Sequence, residues 1–232
     1  MARVFITGSA DGLGRAAAET LLAEGHEVIV HARSAERLTA VKHLPGVTGD
    51  LADLGETRAV AEQVNALGRP DVVIHNAGVY RDAQVMPVNV VAPYVLTALI
   101  DGPGRLIYLT SGMHRGGRPD VRALRDGSYS DSKLFVTTLA LAMARLRPGI
   151  LSNAVDPGWV PTRMGGPGAP DDLRLGHLTQ EWLATSDDPA ALTTGGYWYH
   201  QQRHDPHPSA ADPGFQDRLL AALADLTGTP LP

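Results

Sequence analysis

Short runs of branched apolar residues alternate along this chain with longer alanine- and leucine-rich stretches, and the first run passes straight into a cluster of glycines. Val4–Thr7, Glu27–His31, Val47–Gly49, Asp71–His75, Arg105–Thr110, Ile150–Val155 and Gly196–His200 have the length and branching of strands. Several are apolar without interruption, the mark of strands covered on both faces. Helices are expected over Gly12–Ala23, Ala35–Lys42, Glu56–Leu67, Ala83–Ile100, Tyr129–Leu146 and Gly214–Leu226, with Pro87 and Pro93 starting or bending the fourth. Strand and helix in alternation imply parallel strands joined by helical crossovers. The expected fold class is therefore α/β: a doubly wound parallel sheet of about seven strands in a three-layer α/β/α arrangement, forming one domain over residues 1–232.

Residues 159–188 break the pattern. Gly165, Gly166, Pro167, Gly168 and Pro170 interrupt any period, while Trp159, Met164, Leu173, Leu175 and Trp182 supply scattered apolar groups. A long irregular stretch after a strand's carboxyl end reads as a substrate lid.

Composition narrows the function classes. Without cysteine there is no disulfide framework, no thiolate nucleophile and no zinc site built on sulfur. A net charge of −5 opposes nucleic-acid binding. Arg115, Arg118, Arg122 and Arg125 form a local basic cluster that reads as a solvated loop before it reads as a phosphate or carrier-protein patch. No apolar run approaches the roughly 18 residues of a membrane span, and no signal core follows Met1, so a cytoplasmic protein without membrane contact is expected. His200 and His204 have metal-ligand spacing only on a helix, which Pro206 and Pro208 would interrupt, so no metal site is expected.

The glycine cluster carries the first chemistry. Gly8, Ser9, Asp11, Gly12, Leu13 and Gly14 occupy a strand-to-helix turn, where glycines permit close backbone approach and the helix start presents unpaired N–H groups to a pyrophosphate. At the end of the second strand a carboxylate would select the 2′-hydroxyl of NAD, and an arginine the 2′-phosphate of NADP. The chain has Arg33 and Ser34 there, with Arg15 near, which favours NADP(H) over NAD(H). Asp50 and Leu51, after the third strand, could meet an adenine ring by hydrogen bond and by packing, although Asp50 could equally cap the next turn.

Tyr129 and Lys133 supply the second. Only two lysines occur against eighteen arginines, and on a helix this one lies on the same face as a phenol four residues earlier. An ammonium beside a phenol favours the phenolate, so the pair reads as an acid/base device. The same spacing also arises where an aromatic edges the core and a lysine snorkels; the surroundings decide.

Those surroundings resemble the short-chain dehydrogenase/reductase family. The turn Thr7–Gly14 matches its glycine motif; His75-Asn76-Ala77-Gly78 is similar to its Asn-Asn-Ala-Gly segment, with histidine in first place. Asn89, Ser111, Tyr129 and Lys133 match its catalytic tetrad in order, and Pro157, Gly158, Val160 and Thr162 match its Pro-Gly-x-Val-x-Thr turn. The resemblance implies a Rossmann-type fold and an NADP(H)-dependent carbonyl reductase or alcohol dehydrogenase. Tyr129 would be its proton donor and acceptor, Ser111 the carbonyl's hydrogen-bond donor, Lys133 the partner of both the phenol and a ribose, and Asn89 the holder of a water. Asn76, Ala77, Gly78 and the Pro157–Thr162 turn would border the cofactor together with Tyr129 and Lys133. The long interval between Ser111 and Tyr129 is similar to the retinol-dehydrogenase-like branch, and the short stretch from Gly78 to Asn89 trims a helix that commonly builds the dimer interface. A homodimer and a homotetramer are both open. The expected substrate is a small to medium apolar or aromatic carbonyl or alcohol, on account of the lid's tryptophans and leucines. The alternative is a non-catalytic NADP-binding sensor on the same fold, which would not need all four tetrad groups. An epimerase or dehydratase of the extended type would need different glycine spacing and a larger C-terminal domain.

Overall fold

The computed structural model describes residues 1–81 and 83–231; Asp82 and Pro232, both inside the expected domain, lie outside the described residues. Strands β1 (Arg3–Ile6), β2 (Glu27–Ala32), β3 (Gly46–Thr48), β4 (Val72–His75), β5 (Arg105–Leu109), β6 (Leu151–Asp156), β7 (Tyr197–Tyr199) and β8 (Gln202–His204) form one sheet in the order β3-β2-β1-β4-β5-β6-β7-β8. The first seven are parallel and β8 runs antiparallel to β7. The helices are α1 (Gly12–Ala23), α2 (Ala35–Leu38), α3 (Leu54–Leu67), α4 (Ala92–Leu99), α5 (Tyr129–Leu146), α6 (Leu173–Thr185), α7 (Pro208–Ala211) and α8 (Pro213–Thr227).

The strands are apolar throughout because successive residues feed two different cores. Val4 and Ile6, Val28 and Val30, Val72 and Ile74, Ile107 and Leu109 pack on one side with Ala17, Ala18 and Leu21 of α1 and Leu183 and Ala184 of α6. Phe5, Ile29, Val73, Leu106 and Tyr108 face the other way, onto α3, α4, α5 and α8. This is the period-two alternation of a pleated strand, with both faces covered. The sheet is thus the middle of three layers, and the order turns around at β1 and β4, where a crevice opens beyond the strand ends.

Several local expectations are corrected. The sheet has eight strands rather than about seven, and the extra one makes it mixed. His200 and Gln201 adopt positive φ (48° and 60°), which closes a two-residue hairpin turn between β7 and β8. His200 and His204 therefore lie on a hairpin, and no cluster of three or more metal-ligating side chains occurs among the described residues. The helix expected over Ala35–Lys42 is a single α-turn followed by a 3-10 turn, Thr39–Val41. The segment before α4 is a π-helical turn, Pro87–Val91. The expected irregular lid is irregular only in its first half. Asp172 caps α6 by accepting from the Leu175 N–H at 3.0 Å, and Gly176, Thr179, Gln180, Leu183 and Ala184 form its buried stripe.

α5 is buried without a break from Asp131 to Met143. One side rests on the sheet, and Phe215, Leu219 and Leu223 of α8 join the core that contains Leu134, Phe135 and Leu139. The end of α8 is bolted down: Arg58 donates to the Thr227 carbonyl at 2.5 Å, and the Tyr94 hydroxyl to the Thr229 carbonyl at 2.8 Å. No helix among the described residues is long and apolar enough to cross a membrane.

Candidate active site

At the sheet's turning point the glycine cluster folds as a tight loop. Gly8 and Gly12 have φ of 63° and 57°, a region that side chains rarely adopt. A Cβ on Gly8 would stand 2.9 Å from the Ala77 backbone, and one on Gly14 only 2.3 Å from Asn76 Nδ2 and 2.6 Å from the Gly8 carbonyl. Asn76 braces this contact by donating to the Thr7 and Gly8 carbonyls at 2.9 and 3.1 Å, while the Ala77 N–H donates to the Thr7 hydroxyl at 3.0 Å. Asp11 occupies the N-cap of α1 without capping it; its carboxylate instead takes the Arg37 guanidinium at 2.5 Å. The N–H groups at the start of α1 are thus left without a side-chain cap, beside glycine backbone, which fits an anionic pyrophosphate. Across the loop the Thr162 methyl lies 3.9 Å from a Cβ built on Gly12, so the Pro157–Thr162 turn forms the opposite wall.

Three residues expected at the cofactor also have partners within the fold. Ser9 is fully buried: its hydroxyl donates to the Ile6 carbonyl and accepts from the His31 N–H, and its own N–H donates to the His31 carbonyl. It braces the turn from behind. The Leu51 side chain belongs to the core beside Val47 and Val60. Asp50 caps its own turn, accepting from the Ala52 N–H at 3.0 Å. Arg33 and Ser34 are exposed at the end of β2, and Arg33 has no ion-pair partner among the described residues, whereas Arg15 is paired with Glu19 at 2.7 Å. A brace that the sequence did not reveal is His31. Its Nδ1 accepts from the Gly8 N–H at 3.0 Å and its Nε2 lies 3.0 Å from the Gly49 carbonyl; burial lowers its pKa, so the ring is neutral.

The tetrad residues converge at the same end of the sheet. Ser128 and Asp131 form a capping box that fixes the first turn of α5, where Tyr129 stands. Asp131 also accepts from the Arg118 backbone and guanidinium. Burial works against the Asp131 charge, yet these bonds hold its pKa well below the usual carboxylate range. Ser111 lies two residues beyond β5 and caps a 3-10 turn, accepting from the Met113 N–H at 3.2 Å. His114 locks that turn: its Nδ1 reaches the Ser111 carbonyl at 2.8 Å, and its Nε2 accepts from the His207 N–H at 3.0 Å. Gly78 is where Asn89 and Lys133 meet, with Asn89 Oδ1 and Lys133 Nζ each 3.5 Å from its virtual Cβ.

One tetrad expectation is revised. Lys133 does not lie against the phenol: Nζ donates to the Leu109 carbonyl at 2.9 Å and sits 5.5 Å from the centroid of the Tyr129 ring. Burial pushes the Tyr129 pKa up to about 12, with Asp156 and Tyr80 adding to it and the Ser111 hydroxyl opposing it. The phenol is a stored proton at neutral pH, not a phenolate. Burial also lowers Lys133 to about 8. The Asn89 side-chain amide is engaged within the protein. Its side chain accepts from the Val79 N–H and donates to the Val79 carbonyl and the Ser132 hydroxyl, at 2.8, 2.9 and 3.0 Å. The π-turn around it is the kind of helix irregularity that marks functional sites.

Exposed apolar side chains stand at this end of the sheet. Tyr80 packs edge-on against Tyr129 at 4.7 Å and Met164 Cε lies 4.0 Å from the Gly78 position, while Met113 and Trp159 are exposed on the turns that carry Ser111 and Gly158. These four side chains are 43% to 60% exposed, well above the core residues beneath them. Half of the basic cluster is neutralised: Arg118 pairs with Asp131 and Arg122 with Asp120, while Arg115 donates to the Asp205 carbonyl.

The sequence pattern of the family described as short chain dehydrogenase matches residues 2–172. A short-chain dehydrogenase of Penicillium rubens is 38% identical over the full length of both chains. A Streptomyces protein provisionally named daunorubicin C-13 ketoreductase is 30% identical, over 97% of this chain and 92% of that one. Among solved structures, a blue fluorescent protein from a metagenomic library, in complex with NADPH, superposes with a TM-score of 0.73 at 24% identity, over 85% of this chain and 95% of that one. The chain belongs to the short-chain dehydrogenase family of oxidoreductases.

Proposed function

We propose that this protein is an NADP(H)-dependent carbonyl reductase that uses Tyr129 as its proton donor. The observation that carries the reading is the protonated, largely buried Tyr129 phenol with the Ser111 hydroxyl acting on it and the Lys133 ammonium 5.5 Å from its ring centroid. Gly8, Gly12, Gly14, the uncapped start of α1 and Thr162 fit a dinucleotide's pyrophosphate, and Arg33 is free to meet a 2′-phosphate. When bound, the nicotinamide supplies the hydride. The chain's own residues do the rest. Ser111 donates to the substrate oxygen and orients it; Tyr129 releases its proton as charge grows there. A phenol that stays protonated up to about pH 12 suits the reductive direction at neutral pH. The reverse reaction needs the phenolate and is favoured at alkaline pH.

Tyr80, Met113, Trp159 and Met164 support a small to medium apolar or aromatic substrate, and the name borne by the Streptomyces relative agrees with an aromatic ketone. The segment 159–188 acts as the lid, its second half docked on α1 through α6. The long interval between Ser111 and Tyr129, folded as two 3-10 turns, supports the retinol-dehydrogenase-like branch. The test is Tyr129→Phe. NADPH-dependent reduction of an aromatic ketone or aldehyde should fall by a factor of about 10² to 10⁴ while NADPH binding, read by fluorescence, is retained. Reduction at the wild-type rate would overturn the assignment.

A further inference from the structure

Two buried charges of opposite sign stand in this site without touching. Lys133 is 5% exposed and Asp156 9%. Among the described residues neither belongs to an ion pair within 4.0 Å. A buried charge without a partner is costly, and such groups normally neutralise or find compensation. Among the described residues the Lys133 ammonium has the Leu109 carbonyl as its one hydrogen-bond partner. Asp156 accepts from the Gly158 N–H at 2.9 Å and from the Tyr197 hydroxyl at 2.8 Å.

Their placement is fixed by the sheet. Leu109 of β5 lies opposite Val155 of β6, so Asp156 begins one residue beyond the strand partner of the carbonyl that Lys133 holds. Its Oδ2 would be 3.1 Å from a Cβ on Gly112, which puts the carboxylate against the turn that carries Ser111. We propose that Asp156 is the counter-charge that keeps Lys133 protonated in the buried site, acting through space across the active-site floor, and is thereby a positioning residue for the proposed reaction. The proposal rests on the Tyr129–Lys133 reading above.

The other charged and titratable groups around the carboxylate leave it this role. Tyr197 and Tyr199 on β7 are neutral phenols whose pKa values are raised, with Asp156 among the causes. Tyr80 faces Tyr129 rather than Asp156. His114 is kept neutral by burial and has both ring nitrogens bonded, one of them to the His207 backbone. Arg115 lies over the Tyr197 ring at 5.7 Å and donates to the Asp205 carbonyl. Asp171, beyond Gly158, accepts from the Trp159 N–H at 2.6 Å. Asp156 is the charged side chain that opposes the desolvation of Lys133, and it acts on Tyr129 as well.

Because the chain has only Lys42 and Lys133, the test can be read on the lysine itself. Protein labelled with ¹⁵N-lysine gives two side-chain signals, assigned with Lys42→Arg, and their pH titration needs no turnover. Asp156→Asn should move the Lys133 midpoint down by about one pH unit and leave Lys42 in place. Tyr197→Phe, which keeps the carboxylate, should leave the Lys133 midpoint within about 0.3 unit of wild type. A Lys133 midpoint unchanged in Asp156→Asn, or displaced equally by Tyr197→Phe, would overturn the proposal. If Asp156→Asn does not fold, Asp156→Ser and the salt dependence of the wild type decide. A buried pair keeps its midpoint between about 0.05 and 0.5 M NaCl, whereas control by exposed charges would make it drift. Loss of the Tyr129 assignment would show in turnover and leave the lysine titration intact, so the two failures are distinguishable.

Discussion

His75 stands where the resembling family has an asparagine, and its burial makes acid stability the sharpest quantity to measure. The ring is fully enclosed, stacked on Tyr108 at 4.6 Å, with Nε2 3.1 Å from the Thr97 hydroxyl and Nδ1 without a partner among the described residues. Burial lowers its pKa from 6.5 to about 3. In the unfolded chain His75 takes a proton as pH falls through about 6.5; in the folded protein it does not until about pH 3. Stability present above pH 6.5 is therefore lost on acidification, by about 1.4 kcal/mol per pH unit over that window. At pH 4.5 the loss is about 2 to 3 kcal/mol from this residue alone. His75→Phe keeps the stack on Tyr108 and removes the titration. At pH 7.5 its stability should lie within about 1 kcal/mol of wild type, since one hydrogen bond is lost and one orphaned nitrogen disappears. Urea unfolding followed by circular dichroism at pH 7.5 and 4.5 gives the comparison. His31 and His114 also lose stability in acid, but they are common to both proteins, so the difference isolates His75. If acidification destabilises wild type and His75→Phe equally, the buried-neutral account of His75 is wrong.

Gly14→Ala should weaken NADPH binding at least tenfold in a fluorescence titration, because the new Cβ meets the Gly8 carbonyl as well as Asn76 and the turn must open. Arg33→Ala should raise the NADPH dissociation constant about tenfold and leave NADH binding unchanged; equal losses for both would deny the 2′-phosphate role. Asp131→Asn should lower stability by about 3 kcal/mol, and the melting temperature by roughly 6 °C or more, by removing the charge that holds Ser128 and Arg118. A melting temperature within 1 °C of wild type, about the shift expected for a minor surface change, would show that the box does not anchor α5.

What could be read from the sequence was what repeats or what stays local. Parallel strands announced themselves because each buries alternate residues in two cores, as Val4, Phe5 and Ile6 do. The glycine turn and the Tyr129–Lys133 spacing are local patterns tied to one backbone geometry. β8 escaped because Gln202–His204 is exposed and polar, and its turn is made by His200 and Gln201 rather than by glycine or asparagine. α6 was hidden by the glycines and prolines before it, although Asp172 and the stripe from Gly176 to Ala184 were signals of a capped amphipathic helix. The roles of His31, Asp156 and His114 depend on partners 23, 41 and 93 residues away, which no spacing rule reports. The pKa of Tyr129 went opposite to expectation for the same reason. Burial is a property of the assembled fold, and it outweighs an ammonium that is turned toward Leu109.

The placement of α8 bears on how this protein behaves as concentration changes. With α5 enclosed and Thr227 and Thr229 tied to Arg58 and Tyr94, the apolar outer face of α5 is sealed by the same polypeptide. Tyr129, Ser111 and Lys133 are held by contacts that a second copy need not supply. Specific activity should therefore be constant on dilution, because the contacts that enclose α5 are made within one chain and do not depend on protein concentration.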